Sequence, residues 1–570
     1  MEMEERTEKS ARAIEQSCKA TNYADVEKFL YCGSYQIVVA VIYLFACFVF
    51  AFNLIFMTFM ILEPPWQCEP YLNMTSSSSN LSNVSLDDRC ALLQSGQCTN
   101  ITWVNVTFYS VVSEWNLVCD KKNILYSILS IQMGALLVGT PLIGRLADRF
   151  GRKPILCLSM ISQASFGIAT GFANTWQVFA VCRFFVGLFG AGLTSVVGVY
   201  VVENVSKSYR LFIMAIGGMN IGMILSSCLA FGFQHWRPLT MTASSAGFVA
   251  LLLILFTCES PRWLILHGRA EQARRSYRYI LRINGKQAKQ MNDDQWKLLV
   301  EQAQRYRSKR ASFWDIFRET QLLIRTSILS FAMFVMKMIS TLLMFSMDDM
   351  AGSIYLNAVV YGLVNWLGGL SCSFIDRAFR RVGRKHMIGT LLSVVIVCTL
   401  GITVTKWLDL KLHSLERALV FIGAATSSPL WISFSLVTME SFPTSLRSTV
   451  SGVTSMLVNI GGLVIPQLLL LALKWKPIPW IVVTVLTTIC LLSFLAKIPE
   501  TKASSENGKT GTIINWRSNG LCREKCFPVF HRGSIRMQKQ DAHGESARNI
   551  CIRLWAEEVA TVSAMDLTMS

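Results

Sequence analysis

The sequence is poor in charge for its length. Only 16% of its 570 residues are Asp, Glu, Lys or Arg, whereas soluble proteins carry about 25%. Residues 29–62 contain none of these four residue types, and about 20 apolar residues are enough to cross the hydrocarbon core of a bilayer. This shortage excludes a soluble enzyme, a disordered protein and a fibrous protein, and it predicts that residues 29–62 cross a membrane.

Motifs for several kinds of chemistry are also missing. The sequence has no phosphate-binding P-loop, no nucleophile elbow and no Cys/His spacing typical of a metal site. We therefore expect neither an enzyme, a metal nor a cofactor. Residues 1–30 lack the basic segment and short apolar core of a cleaved signal peptide, so the first apolar run is expected to remain as an anchor.

Long apolar runs are abundant instead, and twelve can be counted. Runs of this length and apolarity are predicted to be helices, because a span in lipid must satisfy its own backbone hydrogen bonds. The fold class is therefore an all-α membrane protein with twelve transmembrane helices. The predicted spans are 35–62, 124–144, 154–173, 176–202, 211–233, 239–257, 322–346, 352–375, 387–405, 416–439, 448–473 and 478–497.

The net charge of +18 is concentrated in alternate loops. Residues 262–318 contain 14 Lys and Arg against 5 Asp and Glu, and 145–153 and 376–385 are also basic. Positive loops mark the cytoplasmic side of a multi-pass protein, which places both termini in the cytoplasm and residues 63–122 outside the plasma membrane. The basic loops flank apolar spans and lack base-stacking aromatic residues, so we expect membrane lipid and no nucleic acid as a partner.

Residues 63–122 carry the marks of an extracellular loop. Five of the six N-x-[ST] sequons lie there, and the sixth begins at Asn204. Four cysteines in this segment predict two disulfides, with three connectivities left open. The predicted glycosylation sites are Asn73, Asn80, Asn83, Asn100 and Asn105, and the predicted disulfide cysteines are Cys68, Cys90, Cys98 and Cys119.

The two halves of the chain repeat each other. Gly-Arg-Lys recurs at an offset of 232 residues, an arginine that opens a span recurs at 234, and a Glu/Arg pair seven residues apart recurs at 237. Six spans, a basic central loop and six more spans form a known transporter architecture, with the binding site between the halves. The repeated residues are Gly151–Lys153 and Gly383–Lys385, Arg183 and Arg417, Glu203/Arg210 and Glu440/Arg447.

With these motifs the sequence resembles the major facilitator superfamily, and within it the organic ion transporter family, solute carrier family 22. The resemblance covers about residues 30–502. Its carriers are Gly144–Lys153, Glu114–Asp120, Glu259–Trp263, Glu440–Arg447 and Pro499–Lys502.

The resemblance implies two pseudo-symmetric six-helix bundles. The expected regions are a cytoplasmic N-terminus at 1–34, an N-terminal bundle at 35–257 with the external loop 63–122, a basic cytoplasmic loop at 258–321, a C-terminal bundle at 322–497 and a disordered cytoplasmic tail at 498–570.

The resemblance also assigns gating roles to acid–base sets at the cytoplasmic end, where the first motif clasps helices of its own half. The alternative is that these residues are ordinary solvated interfacial charges. In the second half Ala378–Val382 separates Asp376-Arg377 from Gly383, so the motif departs from the pattern there. The gating residues would be Asp148, Arg149, Arg152, Glu203, Arg210, Glu259, Arg262, Asp376, Arg377, Glu440 and Arg447.

Lys337 is the clear case of a charge in the middle of an apolar run. It follows Arg325 by 12 residues, about 18 Å along a helix, and charges inside spans are usually functional. Its alternatives are a snorkelling lysine or one paired with an internal acid. The predicted substrate cavity comprises Lys337, Asn365, Trp366, Tyr361, Trp431, Asn459, Asn220 and Gln132.

The preferred charge of the substrate stays open. Cation-carrying relatives commonly have acids in the eighth and eleventh spans, and anion carriers a basic residue in the eleventh, but Asn365 and Asn459 stand at these positions. The resemblance thus predicts a polyspecific carrier of small organic cations, anions or zwitterions that works by alternating access. The alternative is a transporter-like receptor that binds an external ligand without moving it.

Overall fold

The structure is a computed structural model, and it describes most of the chain between residues 33 and 498. The described residues are 33–70, 86–95, 98–205, 209, 213–214, 218–285, 296–297, 300–301, 320–347, 350, 352–378, 383–410, 412–442 and 446–498.

Long apolar helices make up most of the described chain. Eleven of them are long and apolar enough to cross a membrane, and a twelfth apolar helix, at Met219–Phe233, is shorter. This last helix makes up most of the described part of the predicted span 211–233. The first half contains α1 (Ser34–Met60), α4 (Lys122–Phe150), α5 (Arg152–Gly171), α6 (Trp176–Asn204), α7 (Met219–Phe233) and α8 (Trp236–Leu255).

The second half repeats this arrangement after two short helices of the central region. Those are α9 (Pro261–Leu266) and α10 (Ala270–Asn284). The spans that follow are α11 (Thr320–Phe345), α12 (Ile354–Ala378), α13 (Arg384–Trp407), α14 (His413–Ser441), α15 (Arg447–Ala472) and α16 (Ile478–Lys497).

The segment between α1 and α4 contains a small β-sheet that the sequence did not predict. Strands β1 (Trp66–Pro70) and β2 (Cys98–Trp103) pair antiparallel, with Trp66 opposite Trp103. The β-branched and aromatic residues of β2 favour a strand. Two short helices, α2 (Leu86–Gln94) and α3 (Val111–Trp115), complete the described part of this segment.

A disulfide holds this segment close to the start of α4. Cys90 and Cys119 form a disulfide, and Cys98 is also disulfide-bonded. The first bond settles one pairing among those that the sequence left open. The side chain of Cys68 lies outside the described part of the chain, so the second predicted pairing stays a prediction. We call this end of the bundle the loop end, and the opposite end, at Phe150, Gly151 and Glu259, the basic end.

A half-buried ion pair ties the loop segment to the first half. Glu114 in α3 pairs with Arg237 at the start of α8 and accepts a hydrogen bond of 2.7 Å from the indole of Trp236. The Arg237 guanidinium also donates to the carbonyls of Gly171 and Ala173. One arginine therefore joins α3, α5 and α8, which explains physically why the Glu114–Asp120 motif needs its acid.

A fully buried arginine organises the core of the first half. Arg183 in α6 donates to Gln132 Oε1 at 2.8 Å and to Asn53 Oδ1 and the Asn53 carbonyl, both at 3.0 Å. Its guanidinium also lies 4.9 Å from the ring centroid of Phe56, a favourable cation–π distance. Neutral oxygens and one aromatic ring thus solvate a full charge where α1, α4 and α6 meet.

The two halves meet tightly at the loop end. Tyr355, the second residue of α12, stacks on Phe59 at a centroid distance of 5.8 Å and contacts the edges of Phe108 and Phe231. Its hydroxyl donates to the carbonyl of Thr107 at 2.9 Å. Each of these four partners belongs to the first half, so Tyr355 closes the loop end between the halves.

Three glycines near the basic end have free space around them. At Gly144, Gly198 and Gly452, near the basic ends of α4, α6 and α15, no described atom beyond the local helix lies within 4 Å of the place a Cβ would occupy. At Gly362, nearer the loop end, a Cβ would stand 2.8 Å from Ile224 of the first half. The contacts between the halves at Tyr355 and Gly362 therefore lie toward the loop end.

We predict that Arg183→Met destabilises the protein strongly. The substitution leaves buried acceptors on Asn53 and Gln132 without their donor, which costs about 1–3 kcal/mol for each. Thermal unfolding in detergent, followed by tryptophan fluorescence, measures the effect. Arg145→Met is the matched control, because Arg145 lies exposed near the basic end of α4. Equal unfolding temperatures for the two variants would contradict a structural role for the Arg183 network.

Candidate functional site

A cavity of about 250 Å³ lies between the two halves. It sits in the part of the bundle nearer the basic end: Thr140 is ten residues from the basic end of α4, and Ser451 is four residues from that of α15. Its walls come from α4 and α6 of the first half and from α11, α14 and α15 of the second. The lining residues are Thr140, Thr194, Ser195, Met333, Trp431, Ser435, Thr438, Ser451, Thr454, Ser455, Val458 and Asn459.

Hydroxyl groups dominate this lining, and several are already committed as donors. Thr140, Thr438 and Ser455 each donate to the carbonyl four residues earlier in their own helix, at 2.8–2.9 Å. Such bonds use the hydroxyl proton and leave oxygen lone pairs free to accept. These three residues therefore present hydrogen-bond acceptors to the cavity, and none of the described lining residues is ionisable.

Two of the predicted cavity residues are among the lining. Trp431 has 38% of its surface exposed and supplies an aromatic face for an apolar or cationic group. Asn459 donates to Thr140 Oγ1 at 2.8 Å, which links α15 to α4 across the interface. Both residues thus contact the space between the halves.

Lys337 stands just beyond the cavity, toward the loop end. It lies one helical turn after the lining residue Met333. Its Cε is 3.2 Å from the place a Cβ of Gly462 would take, with the sulfur of Met133 in the first half at 3.7 Å from the same place. Within the described residues, the ammonium has neither a hydrogen-bond partner nor an ion-pair partner. Lys337 therefore adds a positive charge where α4, α11 and α15 meet.

Other predicted cavity residues lie away from this lining. Gln132 is buried beside Arg183 and also donates to the Asn53 carbonyl. Asn365 donates to the carbonyl of Tyr361 and accepts from the hydroxyl of Ser427 at 2.9 Å. These amides have their hydrogen bonds supplied by their own half of the bundle.

Of the remaining three predicted residues, Tyr361 and Trp366 lie in the second half, and Asn220 lies in the first half next to it. The Tyr361 hydroxyl donates to the carbonyl of Ser340 at 3.1 Å, which joins α12 to α11. The carbonyl of Asn220 lies 3.3 Å from the place of a Gly362 Cβ, so α7 and α12 are close there. Trp366 is half-buried in α12. None of the three is in the described cavity wall.

A carboxylate organises the basic end of the first half. Glu259 accepts from the backbone N–H groups of Arg152, Lys153 and Ser260 at 2.9–3.3 Å, so it caps the start of α5. Gly151 has φ +115°, and a Cβ there would collide with this carboxylate, so the motif needs glycine. Burial raises the pKa of Glu259, while the hydrogen bonds from these N–H groups oppose that shift.

Side-chain charges complete the cluster. Arg152 pairs with Asp148 at 2.5 Å and lies 3.7 Å from Glu203 at the end of α6. The indole of Trp263 in α9 donates to the Asp148 carbonyl at 3.0 Å. The cluster clasps α4, α5, α6 and α9 of one half, in agreement with what the resemblance implies for this motif.

The structure assigns different partners to some of the gating residues. Glu203 contacts Arg152, and Glu259 accepts hydrogen bonds from backbone N–H groups. Arg149 is exposed, with its guanidinium 5.4 Å from the ring centroid of Phe150. Arg210, and the side chains of Asp376, Arg377, Glu440 and Arg447, lie outside the described residues, as do Asn73, Asn80 and Asn83.

Sequence reasoning missed the hydroxyl wall. The signal was present as Ser and Thr at helical spacing: Ser451, Thr454 and Ser455 lie within about two turns before Asn459, and Ser435 and Thr438 lie within the two turns after Trp431. Sequence reasoning also used Arg183 only as evidence for the repeat. In the structure, Arg183 is buried and joins three helices of the first half.

Comparison with known proteins agrees with this architecture. A model of the Major Facilitator Superfamily matches residues 100–466. The chain is 27% identical to an organic cation transporter-like protein of Drosophila melanogaster, over 69% of this chain and 70% of that protein. It is 28% identical to organic anion transporter 3 of Rattus norvegicus, over 64% of this chain and 68% of that protein.

A solved structure shows the same fold. The inward-open xylose transporter XylE from E. coli aligns with 83% of this chain and 99% of its own, with a TM-score of 0.58 and 13% sequence identity. The relatives and the matched family are transporters, so the predicted transporter is confirmed and the alternative of a receptor that moves no ligand loses support. The matched model covers well over half of the chain, and the protein therefore belongs to the major facilitator superfamily of membrane transporters.

Proposed function

We propose that this protein carries small organic ions across the plasma membrane by alternating access. The observation that carries the proposal is a hydroxyl-lined cavity between two repeated half-bundles, which Tyr355 closes at the loop end. The organic cation and organic anion carriers named among its relatives support this substrate class.

The orientation follows from charge. Basic segments favour the cytoplasm, so the basic end and both termini are assigned there, and the loop end is assigned to the outside. In this orientation the structure is inward-facing. The clasp around Glu259 and Arg152 then holds the cytoplasmic ends of one half together while the halves move against each other.

The cavity and its border toward the loop end offer three complementary contacts to a small amphiphilic ion. Lys337 supplies a positive charge for a carboxylate or similar anionic group, the hydroxyl wall accepts hydrogen bonds, and Trp431 provides an aromatic face. An organic anion or zwitterion that carries hydrogen-bond donors satisfies all three.

The uptake assay in proteoliposomes uses para-aminohippurate, carnitine and tetraethylammonium as probes of the three charge classes. Absence of uptake for every probe class would refute transport of organic ions.

We expect Tyr355→Ala to shift the protein away from the inward-facing state. The variant loses the aromatic contacts and one hydrogen bond at the loop end, and a change of about 1.4 kcal/mol moves a conformational equilibrium tenfold. Tyr355→Phe keeps the rings and should shift the equilibrium less. The readout is labelling of Asn459→Cys, in a chain without other reactive thiols, by an impermeant reagent added outside.

Trp475→Ala is the control for this experiment. Trp475 lies at the same end but packs on Trp407 within the second half, at a centroid distance of 5.1 Å. Outside labelling that rises as much in Trp475→Ala as in Tyr355→Ala would show that Tyr355 has no special role in closure.

Lys337→Ala should weaken the uptake of anions and zwitterions far more than that of permanent cations. A hydrogen bond to a charged group contributes about 1.5–3 kcal/mol, so the apparent affinity for para-aminohippurate or carnitine should fall about 10- to 100-fold. Lys337→Arg keeps the charge and should keep part of the activity. Arg325→Gln, on the same helix but near its basic end, is the control. Unchanged uptake of all three probes by Lys337→Ala would contradict the assignment.

Glycosylation tests the orientation. Asn100 and Asn105 are exposed at the loop end, whereas Asn204 is buried and donates to the Tyr200 carbonyl at 2.9 Å. Replacing the five sequon asparagines of residues 63–122 by Gln should abolish the mobility shift that a glycosidase causes, and Asn204→Gln should not affect it. A shift that survives in the five-site variant would show that residues 63–122 are not on the outside.

A further inference from the structure

The central region contains a helix whose two faces differ sharply. On one face of α10, Ala273 and Tyr277 pack with Trp263 and Leu264 of α9, and Ile280 packs on the first-half bundle. The opposite face is exposed. The helix is therefore fixed on the bundle by one face, and the other is available to a further partner.

The position of α10 along the membrane normal is set by contacts with two spans. The Tyr279 hydroxyl donates to the carbonyl of Phe256 at 2.9 Å, and Phe256 directly follows α8. Asn284 accepts from the backbone N–H of Tyr35 at 3.0 Å and donates to Gln36 Oε1 at 2.8 Å, at the start of α1. Residues at the ends of two spans mark the border of the hydrocarbon layer, so α10 lies at that border.

The exposed face of α10 is basic. Arg275, Arg278 and Arg282 are exposed, and at 3.6 residues per turn they fall within about 60° of arc. None of the three has a hydrogen bond or ion pair with another described residue. Tyr279 and Ile283 flank this stripe and are 38% and 36% exposed. One acid, Glu271, lies on the same face a turn earlier, and it leaves the stripe with a net positive charge.

We propose that this surface, Arg275, Arg278 and Arg282 with Tyr279 and Ile283, binds the headgroups of anionic phospholipids in the adjacent leaflet. Guanidinium groups match phosphate in charge and geometry. The cytoplasmic leaflet is the anionic one and attracts basic residues close to spans. A tyrosine and an isoleucine beside the stripe suit the boundary between headgroups and acyl chains. The proposal uses the orientation assigned above but no transport step.

The test measures lipid binding directly. The purified full chain in a neutral detergent is titrated with fluorescent phosphatidylserine, and fluorescent phosphatidylcholine serves as the reference probe. Wild type should bind phosphatidylserine more tightly. Replacing Arg275, Arg278 and Arg282 together by Gln should lower that affinity by about fivefold per charge, or roughly 100-fold in total. The corresponding triple replacement by Lys should retain most of it.

A matched control removes three charges at the other end. Lys121, Lys474 and Lys476 are exposed near the loop end, and their joint replacement by Gln should leave phosphatidylserine binding as in wild type. The proposal is overturned if the Arg-to-Gln variant binds phosphatidylserine like wild type, or if both triple Gln variants lose affinity equally. It is also overturned if soluble glycerophosphoserine competes as well as the intact lipid. Uptake of the organic ion probes is a separate measurement, so loss of lipid binding and loss of transport can be told apart.

Discussion

The cost of charge in a medium of low dielectric constant governs the interior of this protein. Arg183 meets that cost with three short hydrogen bonds to neutral oxygens and one aromatic face, so its charge is solvated by the protein itself. Lys337 has no such shell within the described residues and lies next to the space between the halves. Arg183 therefore stabilises one half-bundle, whereas Lys337 lies beside the cavity between the halves, where an anion can bind and dissociate.

The two ends of the molecule use different chemistry for different tasks. At the loop end, aromatic rings and one hydroxyl join the halves, and contacts of this kind separate without leaving a buried charge behind. At the basic end, the Glu259 cap and the Arg152 pairs act within a single half. A rigid half needs internal bonds that persist during motion, whereas the interface between halves needs bonds that form and break at little cost.

Much of the architecture could be predicted from the sequence, because span length and loop charge are set by the membrane alone. The span boundaries rest on these general constraints. The clasp in Gly144–Lys153 was expected from the family resemblance, and the Cys90–Cys119 disulfide was one of the pairings that the four cysteines of the loop left open. The cavity wall could not be read in the same way. A Ser or Thr in an apolar helix usually bonds to its own backbone, and only the packing of α14 and α15 shows which of these hydroxyls face the gap. The partners of Gln132 could not be predicted for the related reason that a sequence does not reveal which polar neighbour a buried amide will bond to.

The loop segment is fixed to one half of the molecule but holds a contact of the other. Glu114 and the Cys90–Cys119 disulfide attach it to the first half, while the carbonyl of Thr107 accepts the hydroxyl of Tyr355 from the second. The segment thus links the first half to a contact of the second, and a force on it reaches the contacts between the halves. A protein that binds this segment, such as an antibody, would shift the equilibrium between conformations of the transporter without entering the transport path.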